Sequence, residues 1–508
     1  MLSKIISAST IGIESFLVEV EIDISGGIPC FQVVGLPDAT IRESRNRIIS
    51  AIKNTGIKFP NKKITVNLAP ADIKKEGVNF DLPIAIGILT AANYIKKEKI
   101  KDFIICGQLS LNGEIKPIKG ALPIALNKYS KKSLILPSDN AKEVEIVKSR
   151  KLYSINHLRE AINFFNETGS LKIINKQNSS MEVSAAPDAA DFHDVKGQEF
   201  VKRGLEVAAC GMHNALLIGP PGSGKSMLAK RMPSIMTDMT FEEALETTKI
   251  LSVAKKVDPR KGIVSKRPFR SPHHTISDAA LVGGGNSPMP GEISLSHNGV
   301  LFLDELPEFK RNVLEVLRQP LEDGKVTISR VERSLTFPAR FMLITAMNPC
   351  PCGYFTDNKK ECHCSPNQIQ KYLSKISGPL LDRIDIHLEV PRLKYETLSS
   401  SRKGEKSKTI KERVVKTQSI QKKRYKDSNI LFNAHLESRA LEEYCILTDE
   451  AKELLKTAIF ELGISARAYD KILKIARTIS DMESKEIIDS YHVSEAIGYR
   501  SLDRNIWA

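Results

Sequence analysis

Three groups of residues have the types and spacing that phosphate chemistry requires. The first is Gly219-Pro220-Pro221-Gly222-Ser223-Gly224-Lys225-Ser226, which follows the apolar run Ala215 to Ile218 and precedes a helical stretch, Met227 to Met232. Glycines let successive backbone N–H groups turn inward around phosphate oxygens, and the helix N-terminus behind them adds partial positive charge. In such a loop Lys225 reaches the terminal phosphates of a nucleoside triphosphate and the Ser226 hydroxyl ligates Mg2+. The second group is Asp304-Glu305, at the end of the apolar run Val300 to Leu303. An aspartate at the carboxyl end of a buried parallel strand lies beside the phosphate loop and helps to hold the magnesium, while Glu305 polarises the attacking water. The third is Asn348, after the run Phe341 to Thr345, whose amide either orients that water or simply starts a turn before Pro349. ATP and Mg2+ are the cofactors these residues call for.

A fourth group has metal-ligand character. Cys350, Cys352, Cys362 and Cys364 fall within fifteen residues. Four thiolates are enough for a closed tetrahedral Zn2+ site, with His363 an alternative ligand, although the C-x-C spacing is less common than C-x-x-C. The other reading is a reduced loop whose cysteines serve packing. His273 and His274 are read as loop or core histidines and receive no catalytic role.

These residues need strands that end at one edge, and the pattern along the chain supplies them. Residues 1–165 form a mixed domain: Phe16, Val18, Val20, Ile22 and Ile24 alternate as in a half-buried strand, 64–68 and 103–106 read as strands, and 39–55 and 82–94 as helices. Residues 166–190 turn polar and then Ser/Ala/Pro-rich, as a linker does. From 191 to 391 strands alternate with helices, the signature of a parallel sheet covered on both faces. Residues 392–508 begin with a basic segment, crowded with Arg402, Lys403, Lys411, Arg413, Lys422, Lys423 and Arg424, that is either a nucleic-acid-binding arm or a solvated helix. They end in a small helical domain with Thr448 and Ser465 as N-caps.

Composition sets the outer bounds. The 508 residues carry a formal net charge of +15, which makes a polyanionic partner such as DNA plausible without requiring one. No basic region followed by an apolar core opens the sequence, and the longest apolar stretch, 82–95, is too short and interrupted to span a bilayer. The expectation is a cytoplasmic protein without a membrane partner, and eight cysteines clustered as they are fit a reducing compartment.

The ordered set of phosphate loop, Asp304-Glu305, Asn348, Leu380-Leu-Asp-Arg383 and Ser465-Ala-Arg467 resembles the AAA+ fold. The resemblance gives Asn348 the sensor-1 role, makes Arg383 the arginine finger supplied to a neighbouring subunit, and makes Arg467 the sensor-2 residue of a helical lid. Val33-Val-Gly-Leu-Pro-Asp38, Asn67-Leu-Ala-Pro-Ala-Asp72, Phe80-Asp-Leu-Pro-Ile-Ala85, Arg270-Ser-Pro-His-His-Thr275, Pro290-Gly-Glu-Ile293 and Asn348-Pro-Cys-Pro-Cys-Gly353 narrow it to the ComM/YifB magnesium-chelatase-like group, over nearly the whole chain. The resemblance implies a hexameric, DNA-acting ATPase of the helicase or translocase kind, with branch migration in recombination or natural transformation as its role. It also implies that the Gly/Pro/Asn-rich stretch 283–296 is a pore-facing hairpin, a plain surface loop being the alternative. The implied fold class is α/β: an AAA+ P-loop domain with a helical lid, preceded by an α+β domain similar to the Lon-protease (ribosomal S5 domain 2-like) fold. Where a protease dyad would lie, Asn79 and Leu122 stand in place of serine and lysine, so proteolysis is not expected. The competing functional reading is a chelatase-type or chaperone-like subunit that remodels a protein partner. A nucleotide-switched scaffold is disfavoured, because it has no need of Glu305.

Overall fold

The computed structural model describes residues 1–75, 77–128, 131–174, 190–254, 256, 258, 262–285, 288–329, 334–355, 357, 359–393, 404–462 and 465–500. Residues 175–189 of the expected linker lie outside this set, as do Arg402 and Lys403 of the basic segment. The chain divides into two compact units, 1–182 with 241–265, and 183–240 with 266–508.

The first unit is built on an eight-stranded mixed sheet. The long strand Glu14–Ser25 pairs antiparallel with Leu2–Ile11 on one side, in the register Ile5 to Val20, and with Lys63–Ala69 on the other. Its alternation sends Val18, Val20, Ile22 and Ile24 into the core, as a period of two requires. Helix Ala39–Asn54 starts where the Asp38 carboxylate accepts the Ile41 N–H at 2.8 Å. Helix Asp81–Ala91 is buried along its whole length, which explains why it reads as continuously apolar and not amphipathic.

Two boundaries differ from the expectation. Strand Lys172–Ile173 pairs antiparallel with Leu152–Ile155, so the first unit continues past residue 165 into the expected linker. Helix Phe241–Val253, expected within the 191–391 core by chain order, groups with the first unit instead. Its buried face contains Ala244, Thr247, Thr248 and Leu251, and the neighbouring Leu245 packs against a cluster that includes Ala8, Ile104 and Leu122. The Ser252 hydroxyl donates to the buried Glu143 carboxylate at 2.5 Å, which fixes the helix end.

The second unit holds a five-stranded, all-parallel sheet in the order Phe269–Arg270, Val300–Leu303, Met342–Met347, Ala215–Ile218, Ile386–Glu389. The three strands in the middle of that order are buried at every residue, as strands covered on both faces must be. Register pairs Leu216 with Thr345 and Leu303 with Thr345, so three carboxyl ends coincide.

The C-terminal helices are part of the same hydrophobic core. Ala466–Met482 begins at Ser465, whose hydroxyl accepts the Ala468 N–H at 3.2 Å, and Thr448 caps the preceding helix in the same way at 3.3 Å. Helix Ser407–Arg424 is not a free basic arm, since its apolar stripe Ile410, Val414 and Thr417 is buried. Arg413 makes a bidentate contact with the buried Glu206 and another with Glu405. Arg424 does the same with the fully buried Asp481, to which Arg477 also pairs at 2.9 Å. An unpaired buried charge costs about 3–5 kcal/mol, so these arginines are structural. Lys422 and Lys423 remain exposed. No described helix is long and apolar enough to cross a membrane.

Candidate active site

The phosphate loop sits at the carboxyl end of strand Ala215–Ile218, which lies between Met342–Met347 and the edge strand Ile386–Glu389 and where local sterics leave little choice of residue. A Cβ at position 219 would lie 2.2 Å from the Val390 carbonyl oxygen, and Gly222 and Gly224 have φ of 75° and 95°. Lys225, only 8% exposed, donates from Nζ to the carbonyl oxygens of Gly219 and Pro220 at 2.7 and 3.0 Å and to Asn348 Oδ1 at 3.1 Å. All three acceptors are neutral. Burial therefore pulls the Lys225 ammonium down to about 8, with only partial compensation from Asp304. An ammonium in that position gains most from an anion. Ser223 Oγ is buried and has no hydrogen-bond partner among the described residues, a second polar atom left over in the loop.

The expected partners converge on this loop. The Ser226 hydroxyl donates to Asp304 Oδ2 at 2.5 Å, which places two hard oxygens side by side as a magnesium site needs. Asp304 Oδ1 accepts the Glu305 N–H at 3.0 Å. Glu305 has φ of 54°, a left-handed conformation that costs a non-glycine residue about 1–3 kcal/mol and is typically retained where geometry serves function. Its carboxylate is exposed toward solvent and lies 3.2 Å from His274 Nδ1.

His274 is a residue the sequence reading set aside. It follows Phe269–Arg270, which pairs in parallel with Val300–Leu303, so the segment after one strand meets the segment after the other. The His273 ring packs beside it at a tilt of 34°, with ring centroids 4.1 Å apart. Only the sheet order could have revealed this contact. Gln198 was also missed: its Nε2 donates to the Ser223 and Pro391 carbonyls at 2.8 and 3.0 Å, tying the loop to the exit of the edge strand Ile386–Glu389.

Arg383 and Arg467 come together, but away from this loop. Arg467 Nη1 lies 2.6 Å from Asp382 Oδ2, and Arg383 pairs with Glu322. Both line a cleft of about 880 Å3 with Arg340, Lys471 and Asp385. Asn214 Nδ2 donates to the Arg383 carbonyl at 2.9 Å, which puts that arginine at the amino end of the strand whose carboxyl end carries Gly219. At roughly 3.3 Å per residue the two edges are about 16 Å apart, farther than an arginine side chain reaches. Arg467 therefore does not cover its own subunit's phosphate loop, as a lid residue would.

The remaining expectations divide. The four Sγ atoms of Cys350, Cys352, Cys362 and Cys364 lie within 4.8 Å of one another. The stretch 283–296 is only in part a loop, since Gly283–Gly284 pairs with Met289–Pro290 and Ile293, Ser294 and Leu295 are buried; Asn286 and Ser287 lie outside the described residues. In it Glu292 is held by a bidentate contact from Arg270. In the first unit Asn79 donates to the Ala8 carbonyl at 3.2 Å, and Leu122 is fully buried.

Family models described as "Magnesium chelatase, subunit ChlI", "Subunit ChlI of Mg-chelatase" and "Magnesium chelatase, subunit ChlI C-terminal" match residues 191–398, 20–140 and 404–500. The competence protein ComM of Haemophilus influenzae is 42% identical over 506 residues, 99% of this chain and 98% of that protein. The protein YifB of Escherichia coli is 43% identical over 505 residues, 99% of this chain and 98% of its own length. The magnesium-chelatase 38 kDa subunit of Rhodobacter capsulatus is 24% identical over 177 residues, 31% of this chain and 50% of that protein.

Two outcomes are expected from the site. Lys225→Ala abolishes ATP binding, whereas Glu305→Gln leaves binding intact and slows turnover on the order of 100-fold or more; parallel measurement of ATP affinity and phosphate release checks this, and normal turnover in the Glu305 variant would remove that residue from its role. The second concerns pH. A bound triphosphate raises the proton affinity of Lys225 from its depressed value near 8, so above that pH binding takes up a proton. ATP affinity should then fall with rising pH, by up to about tenfold per unit. Calorimetry in buffers of different ionisation heat measures the uptake, and affinity flat from about pH 7 to about pH 9.5 would show that Lys225 stays charged throughout.

Proposed function

The chain belongs to the magnesium-chelatase-like family of ComM and YifB, and from that membership we propose that it is an ATP-hydrolysing ring motor acting on DNA, in branch migration during recombination or natural transformation. One observation carries the ATPase part: Lys225 and Ser226 of the phosphate loop meet Asn348 and Asp304 from two neighbouring strand ends. ATP and Mg2+ suit these residues, because the loop offers a buried ammonium whose three hydrogen-bond acceptors are neutral and a hydroxyl–carboxylate pair of hard oxygens. Ser226 and Asp304 would hold the magnesium, which neutralises charge on the phosphates when bound. Lys225 holds the terminal phosphates, Asn348 orients the attacking water, and Glu305 accepts its proton. His274 positions the Glu305 carboxylate.

The placement of Arg383 supports the ring. It lies at the wrong sheet edge for its own nucleotide, so its contribution is made to the ATP of an adjacent copy, with Arg467 beside it on the same cleft. The first unit is taken as the Lon-like domain without proteolysis, since Asn79 and Leu122 are both committed to its interior. A cytoplasmic location completes the reading. The rival, a chelatase-type or chaperone-like remodeller of a protein partner, gains weight from one feature: Arg413 and Arg424 of the basic helix are engaged in internal ion pairs.

DNA separates the two. A DNA motor should hydrolyse ATP several-fold faster when single-stranded or branched DNA is added; turnover indifferent to any DNA would favour the protein remodeller. The trans role of Arg383 has its own test. Arg383→Ala should bind ATP yet lose about a thousandfold or more in turnover. Co-assembly from dissociated chains with Lys225→Ala should restore hydrolysis, because some interfaces then join an intact loop to an intact arginine. No recovery in verified mixed rings would return Arg383 to a structural ion pair with Glu322.

A further inference from the structure

The cysteine tetrad lies two residues beyond Asn348 and its geometry is that of a metal cage. Sulfur separations are 3.3 Å for Cys350–Cys352 and 3.6 Å for both Cys350–Cys362 and Cys352–Cys362. Bonded sulfurs would be about 2.05 Å apart, and all four cysteines are free. A tetrahedral ion with Zn–S bonds of about 2.3 Å has sulfur–sulfur edges of about 3.8 Å. The three edges among Cys350, Cys352 and Cys362 are thus about 0.2 to 0.5 Å shorter than this ideal, and all four sulfurs lie within 4.8 Å of one another, close enough to share one mononuclear ion. Two backbone N–H groups, from Gly353 and Phe355, donate to Cys350 Sγ at 3.2 and 3.3 Å. Donors of this kind stabilise thiolate charge and orient it toward a metal. Four thiolates leave no open coordination position, so the site suits structure and not catalysis.

We propose that the tetrad holds one Zn2+ and that this ion clamps the phosphate loop against Asn348. The packing supplies the clamp. Gly353 has φ of 84°, and a Cβ there would lie 2.6 Å from the Pro221 ring and 3.7 Å from the Asn348 side chain. The knuckle therefore seats on the phosphate loop and on the water-orienting residue at once. Arg392 reinforces it, with its guanidinium 5.9 Å from the Tyr354 ring centroid and 3.8 Å from the buried Asp357 carboxylate, and Nη2 donating to the Pro221 carbonyl at 3.5 Å. Among the described residues the nine-residue excursion between Cys352 and Cys362 is held by the Arg392–Asp357 ion pair, and the metal ion adds the junction of Cys350 and Cys352 to Cys362 and Cys364. The metal half of the proposal stands on the sulfur geometry alone. The clamp half rests on the reading of Lys225 and Asn348 as the nucleotide site for its meaning, though not for its measurement.

Purified full-length protein, analysed for metals, should carry one zinc per chain. Cys362→Ser together with Cys364→Ser should reduce that to below a tenth, while His363→Gln keeps it. Iron in place of zinc, or wild-type protein that is folded and metal-free, overturns the ion. Hydrogen exchange by mass spectrometry then tests the clamp in the double variant, with circular dichroism to verify its fold. Amides of residues 219–226 and 348–353 should exchange at least tenfold faster than in wild type, and unchanged exchange there overturns the clamp. Should the double variant unfold, wild-type protein stripped by a chelator and reloaded with Zn2+ gives the same comparison. These readouts need no ATP, so failure of the nucleotide reading would appear separately, as absent ATP binding by zinc-loaded wild type.

Discussion

The candidate site depends on one constraint, the parallel pairing of Ala215–Ile218 with Met342–Met347 and of the latter with Val300–Leu303. Parallel strands deliver their carboxyl ends to a single edge, and whatever follows them must meet there. Lys225, Asp304 and Asn348 are far apart in the chain, yet two hydrogen bonds join them in series with Ser226. The same burial that fixes the strands also withholds water from the Lys225 ammonium, which is left facing neutral carbonyls and an amide. Rigid scaffold and electrostatic vacancy for an anion have a common cause, the covered sheet.

The opposite edge is governed by charge. Asp385 is buried, and against the effect of that burial Lys471 and His213 hold its carboxyl well below the usual range. His213, itself held low by burial, lies 3.4 Å from Asp385 and bonds Thr478 through Nε2 at 2.8 Å. Through Lys471 and Thr478 the helix Ala466–Met482 is bonded to the entry of the strands. That is why Arg467 appears beside Arg383 and not over the phosphate loop. Asp481, joined to Arg424, Arg477 and Asn433, binds the basic helix to the same bundle. Buried ionic groups of this kind specify one docking geometry as much as they stabilise it.

In the first unit the inserted helix Phe241–Val253 illustrates how weakly chain order constrains domain membership. Its polar buried residues have local solutions: Thr248 Oγ1 donates to the Ala244 carbonyl at 2.6 Å and accepts the Val264 N–H at 3.0 Å. The segment 241–265 thereby folds back on itself and offers its apolar face to the cluster around Leu122. Continuous sequence between two strands of the second unit thus serves the core of the first.

The sequence alone determined those features that rest on local backbone physics. The glycines of the phosphate loop, the capping residues Ser465 and Thr448, the alternation of Val18 to Ile24 and the acids after Leu303 each have their meaning within a few residues, and each lies where that meaning put it. The family was legible for the same reason, through long uninterrupted strings. Tertiary structure decided what depends on neighbours distant in the chain. His274 reaches Glu305 because two strands are adjacent in the sheet, which no local pattern encodes. Arg413 and Arg424 became structural because buried acids elsewhere await them, although in sequence they are indistinguishable from the exposed Lys422 and Lys423. Arg467 joined the far edge because bundle docking is set by ion pairs across some eighty residues of chain, from Asp382 to Arg467. Side-chain type and spacing specify what a residue can do; only the packing of non-local surfaces specifies what it meets.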